Sequence, residues 1–280
     1  MTIDVIIIIV KNRPPDRIEV KMTAFFTMPD GSRLAYQRQL PAVDDSRPGI
    51  LFLAGHGSDM LGTKAELLAD YALQHGLGYL RFDYSGHGQS DGELNEGTIS
   101  QWVDDSIKML DALTTGPQIL VGSSLGGWVM LRVSQERKNR VAGLVGIAAA
   151  PDFTEHLIWQ TLDDAQQAKM ISDGFIAVDN PYSEDDVIYT HKLVVDGRDN
   201  LVLGSKIALD VPVFLHQGMC DEEVPFNTAF DIASCLDSTQ IQIILDKGAG
   251  HRYSESAQLD ALIASLDQIY GYYHRQAQTG

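Results

Sequence analysis

Between Gln118 and Gly127 an apolar run passes with no linker into a helix-forming run, through Gly122-Ser123-Ser124-Leu125-Gly126. A strand that feeds a helix directly must cross over before the next strand can pair, so this junction commits the chain to a parallel sheet with helical cover. The same order recurs. Gly49–Leu53 precedes a helical pattern through Leu68, Tyr71 and Ala72, Tyr79–Phe82 precedes one over Thr98–Leu113, and Val141–Ile147 leads towards Asp152. Strands resume at Val211–Leu215 and Gln240–Leu245, and Leu259, Leu262, Ile263, Leu266, Ile269 and Tyr270 stripe a closing helix.

The expected fold class is α/β: a mostly parallel central sheet with helices on both faces. An antiparallel hairpin precedes it, Thr23–Met28 and Arg33–Gln39 joined at Pro29-Asp30-Gly31-Ser32. Thr98-Ile99-Ser100-Gln101 fits a capping box, and Trp102 belongs to the core-facing stripe of that helix. Residues 152–205 break the rhythm with a helical stretch at Thr154–Met170 and Asp-rich connections around Asn180–Asp186, and read as a small inserted lid. The core is then 22–151 with 206–280, and 1–21 is an N-terminal extension.

The run Val5–Val10 holds four consecutive isoleucines but is far short of the roughly 20 apolar residues a membrane span needs, so no transmembrane segment is expected. No basic region or small-residue cleavage site accompanies it, which argues against a secretory signal. The formal charge of -17 excludes a binder that tracks nucleic-acid phosphates. Cys220 and Cys235, the only cysteines, support neither a disulfide framework nor a cysteine metal site, and both read as inert thiols. A reducing compartment follows, cytoplasm first and mitochondrial matrix second. No motif fixes an oligomeric state.

G-x-S-x-G at a strand-to-helix turn pushes its central serine out of the sheet, and glycines two residues either side let the backbone close around it. A tight structural turn is the plainer alternative. The functional reading makes Ser124 a nucleophile and excludes Ser123, and it needs an acid and a base later in the chain, in that order. The loop after Val211–Leu215 carries Asp221, Glu222 and Glu223, of which Asp221 has the favoured spacing from Gly218 and Val224-Pro225; a helix is expected to begin at that proline. His251 alone of eight histidines lies in the loop after the last strand. Two amides are required for a developing oxyanion: Leu125 N–H, and from Gly55-His56-Gly57 the His56 N–H ahead of Gly57. The His56 ring is expected in a pocket wall, and Gly57, Trp159 and Leu157 against substrate. No metal or organic cofactor is required.

These residues resemble the α/β-hydrolase superfamily. Gly62-Thr63-Lys64-Ala65, Arg81-Phe82-Asp83-Tyr84-Ser85-Gly86 with Ser90-Asp91-Gly92, Gly116 to Trp128, and Pro181-Tyr182-Ser183-Glu184 are more specifically similar to the mitochondrial palmitoyl-protein thioesterases that also cleave acyl glucuronides. The likeness spans most of residues 50 to 265 and departs at Gly55-His56-Gly57 and at Cys220, which bears on substrate preference and leaves the triad untouched. It implies a serine hydrolase of esters or thioesters acting on a small-molecule or acylated-protein substrate. A broad carboxylesterase is the nearest alternative, and a ligand receptor without hydrolysis is the alternative from another class.

Overall fold

The N-terminal hairpin forms where the turn chemistry places it: Ser32 donates to Asp30 Oδ1 through both its amide and its hydroxyl, and Gly31 takes a φ of 92°. Its strands are β1 (Ala24–Thr27) and β2 (Arg33–Gln39), paired antiparallel. The computed structural model describes residues 22–42, 46–179 and 186–279. The extension expected at 1–21 and the Pro181-Tyr182-Ser183-Glu184 run lie outside the described residues.

Four largely apolar strands follow as β3 (Gly49–Leu53), β4 (Tyr79–Phe82), β5 (Gln118–Ser123) and β6 (Val141–Ile147), and every residue in them, Arg81 of β4 included, is buried. Strands of this composition need cover on both faces. Helix α1 (Thr63–His75) packs with the terminal helix, Tyr71 Oη donating to Asp267 Oδ1 at 2.7 Å. Helices α2 (Ile99–Leu113) and α3 (Leu125–Glu136) pack on each other. Thr98 Oγ1 accepts the Gln101 amide at 3.2 Å, the expected start of α2, and Trp102 is fully buried.

Between β6 and the next sheet strand the chain makes an excursion. The continuous helix expected at Thr154–Met170 is broken into a π-helical turn (Thr154–Ile158), a 3-10 turn (Trp159–Thr161) and α4 (Asp164–Asp173). Asp163 is the cause: it is extended and starts α4 afresh through a capping box with Gln166, while Gln167 Nε2 ties down the carbonyls of Trp159 and Leu162. Gly174, at φ 84°, ends α4. A small hairpin follows that the sequence reading did not include, β7 (Phe175–Val178) with β8 (Val187–Thr190), then α5 (His191–Arg198).

The last sheet strands are β9 (Val213–Gly218) and β10 (Ile241–Asp246). β9 runs past Leu215, so His216 and Gln217 are buried strand residues rather than loop residues. Helix α6 (Thr228–Cys235) starts after a turn in which the Thr228 amide bonds the Pro225 carbonyl, so Pro225 precedes the helix and does not open it. Helix α7 (Ser256–Thr279) closes the chain. Among the described residues the main sheet has the order β1-β2-β4-β3-β5-β6-β9-β10, parallel from β4 to β10 and antiparallel at β1-β2 and β2-β4.

Candidate active site

The ends of β5, β9 and β10 converge on one side chain after another. At the end of β5 the backbone turns so sharply that Ser124 adopts φ 53° and ψ -119°, a conformation non-glycine residues rarely hold without external restraint. Here the Ser124 amide donates to the Ile147 carbonyl at 2.9 Å, and its carbonyl accepts the amides of Gly127 at 2.8 Å and Ala150 at 3.0 Å. A Cβ on Gly126 would collide with the carbonyls of Leu53 and Ala54, and one on Gly122 with the Gly126 backbone. Those two positions must therefore be glycine for the turn to close. Ser123 is buried, whereas Ser124 is partly open.

β9 supplies the loop that carries Asp221. Its side chain is fully buried and all its acceptor directions are used: Oδ1 takes the amides of Glu223 (3.0 Å) and Val224 (2.9 Å), and Oδ2 takes Gln217 Nε2 (2.8 Å) and His251 Nδ1 (2.9 Å). Burial pushes this carboxyl up, but the His251 hydrogen bond and charge, with the two amides, outweigh it and hold it below the ordinary carboxylate value. The loop after β10 is drawn against this one. The Cys220 amide bonds the Ala249 carbonyl at 2.9 Å, and a Cβ on Gly218 would strike the backbone of Ala249. His251 Nε2 then lies 3.0 Å from Ser124 Oγ. The expected residues Ser124, His251 and Asp221 thus form one hydrogen-bonded line. Glu223, weighed as an alternative acid, sits on the other side of the ring, its Oε2 3.7 Å from His251 Nε2.

The Leu125 amide opens α3 beside Ser124. On the facing loop, Gly57 and His56 separate: the Gly57 amide is already bonded to His87 Nε2 at 3.1 Å, while His87 Nδ1 faces the Ser85 carbonyl at 3.3 Å. These partners require a neutral His87 protonated on Nδ1, in keeping with burial pushing its imidazole below the ordinary value. The loop is held again at Met60, whose amide donates to Asp83 Oδ1 at 2.7 Å, with the Gln89 amide on Oδ2 at 2.8 Å. The sequence reading assigned no role to Asp83 or His87. Asp83 lies in the run Arg81 to Gly86 that carried part of the family resemblance, which was its available signal, and His87 follows that run directly without belonging to it.

The His56 ring is walled in by Tyr189 (5.5 Å between centroids), Trp102 (5.8 Å), His87 (6.1 Å) and Phe153 (6.5 Å). Burial, and then the proximity of His87, push it down to about 4, so it is neutral at ordinary pH. Gly57 is exposed, at φ 66°. Trp159 lies under the Arg198 guanidinium at 4.8 Å and beside His191 at 5.9 Å. Leu157 lines a cavity with Pro151, Leu203, Pro225 and Cys235. Among the described residues no cluster of His, Cys, Asp and Glu has the arrangement of a metal site, and no helix is long and apolar enough to cross a membrane.

Comparison with known proteins decides the family. Palmitoyl-protein thioesterase ABHD10, mitochondrial, of Bos taurus is 36% identical over 248 residues, covering 88% of this chain and 79% of that protein. The chain belongs to the α/β-hydrolase superfamily. Human ABHD10 is 35% identical over 88% of the hydrolase. Mouse ABHD10 superposes with a TM-score of 0.82 at 33% identity, over 90% of this chain and 99% of that one. A crystal structure from Agrobacterium vitis S4, described as a hydrolase, gives 0.84 at 35% identity over 96% and 100%. The family model for serine aminopeptidase, S33, matches residues 46–174 of this hydrolase. The mitochondrial relatives lend no support to a cytoplasmic location.

Proposed function

We propose that this hydrolase cleaves acyl esters and thioesters through an acyl-serine intermediate, Ser124 being the nucleophile, His251 the general base and Asp221 its orienting acid. The observation that carries the reading is the unbroken line from Ser124 Oγ to His251 Nε2 at 3.0 Å and from His251 Nδ1 to Asp221 Oδ2 at 2.9 Å. His251 accepts the Ser124 proton as Oγ attacks the carbonyl carbon, and Asp221 fixes the tautomer and stabilises the imidazolium. The amides of Leu125 and His56 hold the oxyanion. The imidazolium then protonates the leaving group, the tetrahedral centre collapses to acyl-Ser124, and water repeats the sequence.

A thiol of ordinary pKa, about 8.5, departs more readily than an alkoxide or amine, which favours thioesters among the substrates open to such a triad. The name borne by the ABHD10 relatives, palmitoyl-protein thioesterase, supports an acylated protein as substrate class. Cys220 and Cys235 are both free thiols, which fits a reducing compartment such as the mitochondrial matrix. The test is intact mass after incubation with a fluorophosphonate. A single adduct on wild type and none on Ser124→Ala is expected; unlabelled, folded wild type would refute the serine mechanism and favour a ligand receptor on the same fold.

A further inference from the structure

Of the runs that carry the resemblance, Gly62-Thr63-Lys64-Ala65 gives no residue to the line from Ser124 to Asp221. Its lysine nevertheless reaches the neighbour of His251. Lys64, in the first turn of α1, is half-buried, and its Nζ donates to the Arg252 carbonyl at 2.7 Å, across 188 positions of sequence. Burial, and then the neighbouring Arg252 charge, push this ammonium from 10.5 down to about 8. A lysine whose head stays in water bears no such penalty; the Lys64 head is drawn out of water onto the carbonyl.

The loop that presents His251 needs such a tie. Of Lys247-Gly248-Ala249-Gly250 only Ala249 is buried, and the Cys220 amide fixes its carbonyl. Beyond the histidine, Tyr253 stands at φ 44°, a value that non-glycine residues keep only under restraint. Its ring is buried, and its hydroxyl donates to Asp246 Oδ2 at the end of β10. That bond holds one side of the φ rotation. The peptide between Arg252 and Tyr253 is the other side, and Lys64 holds its oxygen. Relaxation of Tyr253 to an ordinary φ would swing this peptide and displace His251 from its 3.0 Å contact with Ser124. Lys64 also follows the Gly55-His56-Gly57 loop, which is pinned at Met60 by Asp83 and runs straight into α1. One ammonium thus joins the side of the cleft that faces the oxyanion to the side that carries the base.

We propose that Lys64 is a positioning residue: by holding the Arg252 carbonyl it keeps His251 in line with Ser124 and fixes the base loop against the loop before α1. The proposal rests on the serine-hydrolase reading above and adds a residue that acts on the reaction through His251.

The experiment compares wild type with Lys64→Met, which keeps most of the stem but removes the donor, on a p-nitrophenyl ester and an ethyl ester of the same acyl group. Nitrophenolate leaves without a proton, whereas ethoxide must take one from His251, so a displaced imidazole harms the ethyl ester more. In Lys64→Met, kcat/KM is expected to fall about tenfold for the first and about a hundredfold for the second, because proton transfer depends on close placement of the base. Lys64→Arg, which restores a charged donor, is expected to bring the ratio of the two back to within about threefold of wild type. Equal falls for both esters would reduce Lys64 to a stabiliser of the fold, and unchanged kcat/KM, or an Arg variant with the Met variant's ratio, would likewise overturn the proposal. Lys64→Gln, neutral and shorter, serves if Lys64→Met does not fold. A fluorophosphonate adduct at Ser124 of wild type, alongside any of these failures, leaves the serine reading standing; without that adduct both readings fall.

Discussion

His87 Nε2 accepts the amide hydrogen of Gly57 at 3.1 Å, so of the two oxyanion donors weighed on this loop Gly57 is already engaged. The proposed donor is then the His56 amide. Replacing His87 by Phe removes the acceptor but keeps a ring in the cluster. Because an oxyanion donor acts in the transition state, the expected result is a fall in kcat of about 10- to 100-fold with little change in KM. Steady-state kinetics on a short thioester checks this; an equal rise in KM would point to a role in binding instead.

Asp83 makes the same loop rigid from the other end. Its carboxylate is buried and accepts the Met60 and Gln89 amides. Asp83→Ala strands both donors, at about 1 to 3 kcal/mol for each buried group left unmade. A loss of about 3 kcal/mol in stability is expected from denaturant unfolding, with kcat falling further than the folded fraction alone explains.

Asp221→Asn keeps the shape of the acid loop, but an amide cannot both accept from His251 and Gln217 and stabilise an imidazolium. A loss of about 10³- to 10⁴-fold in kcat is expected, together with a fall in melting temperature, because the new NH2 faces two of the four donors that the carboxylate accepts from. Glu222 and Glu223 remain in this variant, so retained activity would show that one of them supplies the acid.

Glu223 Oε2 lies 3.7 Å from His251 Nε2, on the side where the leaving group departs. An anionic leaving group such as a glucuronate meets it as a like charge, worth about 1 kcal/mol at 4 Å even in water. Glu223→Gln is expected to raise kcat/KM for acyl glucuronides about fivefold relative to neutral esters. Equal changes for both substrates would exclude the electrostatic account.

The stability of the fold carries a pH signature. His216 is 1% exposed, bonded to Ser265 Oγ at 2.9 Å, and burial pushes its imidazole from 6.5 down to about 4. The unfolded chain therefore takes up the proton first, so the contribution of neutral His216 is complete above pH 6.5 and is lost as pH falls towards 4. A drop of this size corresponds to about 3 kcal/mol. Buried Asp105, pushed from 3.8 up to about 6, has the opposite sign: its folded-state proton favours the fold at low pH and that contribution is lost as pH rises to about 6. His216→Gln should flatten the loss of stability between pH 6.5 and 4, and Asp105→Asn should steepen it. Urea unfolding across that range reads both slopes.

The parallel order and the three residues of the hydrogen-bonded line were legible because each rests on local chemistry. Ser124 needs glycines within two residues, and Asp221 and His251 follow apolar runs that end in glycine-containing loops. The supports were not legible, because they act across the fold: His87 reaches Gly57 over 30 positions, and Asp83 reaches Met60 over 23. In the excursion, apolar periodicity suggested one helix where the backbone carries three short ones, because a cap at Asp163 outweighs the continuity of the pattern. Trp159 shows the same limit. Its apolar ring suggested a place against substrate; in the fold it lies under the Arg198 guanidinium and beside His191, contacts no local pattern encodes.

Asp152 stands at φ 57° with a wholly buried side chain, and its two oxygens hold the amides of Val202 and Leu203 at 2.9 and 2.8 Å. One carboxylate thereby clasps the exit and the return of the excursion. Once those ends are fixed beside each other, the length of chain between them changes the closure entropy only slowly, by about 0.6 kcal/mol for each doubling. The segment between Asp152 and Val202 is in that sense a socketed cassette. Related sequences of different length could be grafted there, exchanging substrate preference while Ser124, Asp221 and His251 stay in register.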